Sequence, residues 1–105
     1  MQSRWDEGGR RVVHASGRYT FVPYLGTAAQ VDRWIAAGFD IEAAAERTEA
    51  FQSAFRAAPS LDAAEKILVD HFNAETRIAV DQGVAEDDPD LYRIATSVRA
   101  YEFAA

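Results

Sequence analysis

Four times between Thr27 and the last residue, this chain sets a helix-capping residue ahead of an amphipathic run. A Ser, Thr or Asp side chain at such a point accepts a hydrogen bond from an otherwise unpaired first-turn amide, so it marks a helix start. Thr27 with Gln30 has the pattern of a capping box. Its helix is predicted to run to Ala37 and stop at Gly38, burying Val31, Trp34 and Ile35. A second helix starts at Asp40 and ends before Pro59. It carries Ile41, Ala44, Ala45, Thr48, Phe51 and Phe55 on one face and Glu42, Glu46 and Glu49 on the other. Ser60 caps a third helix reaching about Gln82, ahead of Gly83. The fourth is expected at Asp88-Pro89, a cap followed by proline at the first helical position. Leu91, Ile94, Ala95, Val98 and Tyr101 form its stripe.

Ahead of the helices lies a strand-like stretch, residues 11–25. Residues 11–15 and 18–22 are rich in β-branched and aromatic side chains, and Ser16-Gly17 between them reads as a two-residue hairpin turn. Pro23 belongs at a strand end or an outer edge, because it has no amide to donate. Gly8-Gly9 offers a further turn that would make residues 4–6 a third short strand. The expected fold class is α+β, mostly α: an N-terminal β-hairpin, or three short strands, packed on a bundle of about four helices. All 105 residues fit one domain, divided into an arm (1–10), the hairpin (11–25) and the helical region (27–105).

Composition narrows the chemistry. No cysteine is present, which removes disulfides, thiolate metal sites and cysteine nucleophiles. The first residues lack the apolar segment of a signal peptide, and no apolar run approaches membrane-spanning length, so a cytoplasmic protein without membrane contact is expected. One residue in five is alanine, and Lys66 stands alone against ten arginines, a bias that suggests a GC-rich bacterial or phage genome. The net charge of −6 is unevenly spread. Residues 1–35 carry five arginines against three acids, a balance of +2, so the remaining seventy residues sum to −8. An acidic body repels phosphates, which disfavours direct nucleic-acid binding. The break at Gly38 resembles a helix-turn-helix, yet the helix after it would present Glu42, Glu46 and Glu49 to the phosphates.

His71 and Glu75 are the first candidates for chemistry. At i and i+4 they share a helix face with Leu61, Ala64, Leu68, Phe72, Ile78 and Ala79. A carboxylate beside an imidazole in an apolar stripe suits a general base with its orienting partner, or two metal ligands. No second histidine or zinc-binding motif accompanies them, so a structural pair at the edge of the core competes with both uses. Glu86-Asp87-Asp88-Pro89-Asp90 lacks the alternating ligands and bend glycine of a calcium loop and reads as acids at a helix start. No phosphate loop or nucleophile elbow occurs, and neither cofactor nor metal is expected.

Tyr19, Phe21, Tyr24, Trp34 and Phe39 fall close together. They suit a hairpin–helix core, or a pocket for a small apolar ligand. Function is therefore sought in protein contacts. One expectation is a non-catalytic assembly or accessory subunit, phage or mobile-element encoded, whose hairpin meets a protein partner or a second copy. Tyr19, Phe21 and Tyr24 would anchor it, and Arg11 and Arg18 would steer it. Another is a soluble acidic inhibitor using Glu42, Glu46, Glu49, Glu86 and Asp87 to cover a basic, nucleic-acid-binding surface of a partner. The third is a small enzyme or metal site built on His71 and Glu75.

Overall fold

The structure, a computed structural model, describes residues 12–21 and 27–98. It is mostly α with a small β part. Strands β1 (Val12–Val13) and β2 (Thr20–Phe21) form an antiparallel hairpin, followed by α1 (Ala28–Ala37), α2 (Ile41–Ala57) and α3 (Leu61–Asp81). A 3-10 turn at Leu91–Arg93 then leads into helical residues 94–98.

The caps act where the residue types place them. Thr27 Oγ1 accepts from the Gln30 amide while Gln30 Oε1 accepts from the Thr27 amide, completing the box. Asp40 and Ser60 accept from the amides of Ala43 and Ala63. Gly38 and Gly83 close α1 and α3 with φ of 120° and 118°, values that side chains rarely tolerate. The two glycines are reciprocal. A Cβ on Gly38 would overlap the Gln82 carbonyl oxygen, and one on Gly83 would overlap that of Ala37.

The last helical segment departs from expectation. Asp88 does not cap an α-helix: the segment begins later, as a 3-10 turn whose first flanking residue, Asp90, makes no side-chain cap bond. The Asp88 carboxylate is shared between its own turn and α1. It accepts from Trp34 Nε1 at 3.2 Å, from Arg33 at 3.0 Å and from the Asp90 amide at 2.8 Å, tying the loop to α1. The hairpin differs too. Its register, Val12 opposite Phe21 and Val13 opposite Thr20, is the one a Ser16-Gly17 turn implies, but Ala15 and Arg18 are unpaired. The turn is a four-residue loop closed by the Gly17 amide on the His14 carbonyl, with Gly17 at φ 75°. Residues 4–6, Arg11, Pro23, Tyr24 and Tyr101 lie outside the described residues.

Helices α2 and α3 run antiparallel and form the spine. Arg47 meets Glu75, and one turn on Phe51 meets His71. Two cores sit on this spine. One gathers Val31 and Trp34 of α1, Ile41 and Ala44 of α2, Ala79 of α3, and Val84, Ile94 and Val98. The other joins Val12 of the hairpin to Phe51, Phe55, Ala58 and Ala64, with Tyr19 and Phe21 packed against them. Burying a side chain as fully as Trp34 or Phe55 contributes about 1.5–3 kcal/mol or more to folding. Along both spine helices, Arg47 and Glu75 fall between the residues of the two cores, so a polar layer separates them.

Candidate functional site

The hairpin packs on α2 through an aromatic face. Val12, His14, Tyr19 and Phe21 share one face of the two strands, by the two-residue period of β structure. That face lies on α2. Phe55 is fully buried and takes Tyr19 and Phe21 edge-on at centroid distances of 5.4 and 5.0 Å, while Phe51 lies 5.4 Å from Phe21. Tyr19 and Phe21 are half-buried side chains of the hairpin–helix core, so their aromatic surface is already used within the chain. Trp34 and Phe39 belong to the other core. Of the aromatic residues that cluster in sequence, the four among the described residues are therefore divided between the two cores.

Two polar contacts lock the hairpin down. His14 Nε2 lies 2.6 Å from the Ala58 carbonyl oxygen, and the Ala15 amide donates to the Arg56 carbonyl at 2.8 Å. A contact with a carbonyl requires the proton on Nε2. Nδ1 is then the acceptor, receiving the Ser16 amide at 3.2 Å and the Ser16 hydroxyl at 2.9 Å. Ser16 Oγ in turn accepts from the Arg18 amide. The same pattern settles which strand edge is open. His14 donates to Tyr19, so His14/Tyr19 is a hydrogen-bonded pair and Val13/Thr20 is not. The backbone groups of Val13 and Thr20 consequently point outward. The β1 side is turned to α2, as the Ala15–Arg56 bond shows, whereas at Thr20 the β2 edge is exposed and carries no partner among the described residues.

His71 and Glu75 do not act on each other in the way their spacing suggests. Both Glu75 oxygens accept from Arg47, at 2.6 Å from Nε and 3.0 Å from Nη2, and the carboxylate is only 2% exposed. This bidentate pair raises the Arg47 pKa, chiefly through its hydrogen bonds to Glu75. A carboxylate so engaged has little capacity to orient an imidazole. The His71 ring instead stacks on Phe51, with centroids 4.0 Å apart and planes within 2°. Its Nε2 is buried without a hydrogen-bond partner. Burial lowers the His71 pKa; Glu75 and the Ala95 carbonyl oppose that shift, and Arg47 adds to it. Among the described residues, no group of three His, Cys, Asp or Glu side chains could hold a metal ion.

The acidic candidates divide by use. Glu42, Glu46 and Glu49 are exposed on α2 and form no ion pair among the described residues. Glu86 and Asp87 are exposed as well. Asp88 and Asp90 are held by Arg33, and Gln30 Nε2 also donates to Asp90. Arg18 is exposed on the hairpin loop, while Arg11 and Tyr24 lie outside the described residues. Arg47 is the functional-looking residue that sequence reading missed. The available signal was its place on the buried side of α2, three residues after Ala44 and four before Phe51.

No helix among the described residues is long and apolar enough to cross a membrane. Comparison with protein-family models, with curated proteins and with solved structures yields no match to this chain.

Proposed function

We propose that this protein is a non-catalytic interaction module, an assembly or accessory subunit that adds the open edge of β2 to a strand of another chain. The observation that carries this reading is the asymmetry of the hairpin. Its inner face and its β1 side are fastened to α2, while Thr20 is exposed and its outward amide and carbonyl have no partner among the described residues. An isolated two-stranded ribbon is marginal in water, and an unpaired edge is a template for another strand. A second copy of the chain is the simplest partner. Arg18, exposed beside this edge, suits steering of an acidic approach.

The test is absolute mass by light scattering over a range of concentration, on the wild-type chain and on Thr20→Pro. Proline removes the outward amide without touching the inward His14–Tyr19 bond. Association, with itself or with a captured partner, is expected to weaken roughly tenfold or more while the far-ultraviolet circular dichroism is unchanged, since losing one interfacial hydrogen bond and its geometry costs about 1.4 kcal/mol. Association indifferent to Thr20→Pro rejects the edge reading.

A second reading draws on the acids. Glu42, Glu46 and Glu49 are all exposed and unpaired among the described residues, which suits an inhibitor that covers a basic, nucleic-acid-binding surface of a partner protein.

A further inference from the structure

Both histidines of the chain flank the aromatic dock of the hairpin. His14 meets the edge of Phe55 with centroids 6.4 Å apart, and His71 stacks on Phe51 at 4.0 Å. Phe51 and Phe55 in turn hold Phe21, and they lie 6.2 Å from each other. A continuous line of rings therefore runs from His71 on α3, through α2, to the second strand of the hairpin. At its far end sits the buried Nε2 of His71, which has no hydrogen-bond partner.

We propose that His71 is an acid-sensitive latch: protonating it loosens Phe51 and releases the hairpin from α2. The neutral ring can leave Nε2 as a lone pair, whereas the imidazolium carries a polarised N–H at a buried position where Nε2 makes no hydrogen bond in the structure. The charged groups acting on the ring are Arg47 from α2 and Glu75 from α3, and the C-terminal segment contributes the Ala95 carbonyl. Glu75 is already bound through both oxygens to Arg47, so an imidazolium must compete with a guanidinium for it. Attraction of a cation to the Phe51 face and the Ala95 carbonyl favour the proton, but loss of hydration outweighs them.

The sign follows from linkage. His71 binds a proton less readily in the closed fold than its ordinary value near 6.5. As pH falls through that value, an open state in which Phe51 has moved off and the ring is back in water is protonated first and gains on the closed one. The gain stops once the closed form is protonated too. The hairpin is the element placed to respond, because among the described residues it is held by buried Val12, a few rings and two hydrogen bonds to the end of α2. Any consequence for assembly rests on the edge reading above; the opening itself does not.

The experiment is a pH series of nitrogen–proton correlation spectra on the isolated chain from pH 8 to 4.5. The His14, Ala15 and Tyr19 amides are followed beside the His71 ring protons. The hairpin amides are expected to move toward open-chain positions in step with His71. The open population should rise as pH falls through the ordinary histidine range and level off once the closed form is protonated too. His71→Phe keeps the stack and removes the proton site, so it should hold the hairpin closed over the whole range. His71→Leu, which likewise removes the proton site and adds no buried donor, serves should the phenylalanine variant fold poorly. Hairpin amides that stay fixed while His71 titrates overturn the latch. So does opening that survives in the folded variant. Because no partner enters this measurement, failure of the edge reading and failure of the latch are distinguishable.

Discussion

Glu75 shows at the scale of one residue why a pair can be visible in sequence and its chemistry not. The i, i+4 spacing correctly sets it on the face of His71, yet its partner comes from another helix, twenty-eight positions earlier. No within-helix period contains that information. Removing one member of a buried ion pair strands the other, and Arg47→Met leaves the Glu75 carboxylate without its cation. Unfolding in urea is expected to show a loss of about 3 kcal/mol, the low end for such a pair because Arg47 is a third exposed. Arg47→Met combined with Glu75→Leu should recover most of that loss, since apolar replacement of both partners removes the stranded charge. A double variant as unstable as the single one would mean that the pair's geometry, rather than charge compensation, is what matters.

The elements were largely legible, because their ends are local chemistry. Thr27, Asp40 and Ser60 cap the helices they announce, and the stops at Gly38 and Gly83 follow from a conformation that glycine alone takes readily. The start of the last segment was not legible. Asp88-Pro89 has the chemistry of a cap, and Asp88 accepts the Asp90 amide, but the carboxylate is shared with Trp34 and Arg33 of α1 and the segment opens as a 3-10 turn. Hairpin register was readable from the alternation, whereas the loop opens by one residue on each side because Ser16 serves His14 and Arg18. The glycine pair supports a sharper expectation. Gly38→Ala combines an unfavourable positive φ with overlap onto the Gln82 carbonyl, and should cost about 2–4 kcal/mol. Gly17 has a positive φ but open space around it, so Gly17→Ala should cost only about 1 kcal/mol. Thermal melts of the two variants measure the difference, and equal losses would remove the role assigned to the α1–α3 contact.

Across the whole molecule, charge and core follow different divisions. The exposed carboxylates of α2 lie on the side of the spine away from both cores, and they are where the inhibitor reading is decided. Its affinity for a basic partner should fall steeply between low and high salt, and Glu42→Gln, Glu46→Gln and Glu49→Gln together should flatten that slope. Calorimetric titration at several ionic strengths measures both. Salt-insensitive binding leaves the strand edge as the recognition surface. The polar layer between the cores has a different consequence, for the order in which the chain assembles. Two helices joined by a short turn can collapse in several staggered alignments that all hide apolar surface. Sliding α3 by one turn along α2 would set the Glu75 carboxylate against Phe51 or Ala43, with no cation to meet it. Arg47 and Glu75 thus work as a notch and pin: misaligned packings are penalised as they form, and one alignment of the two helices is selected before either core is complete.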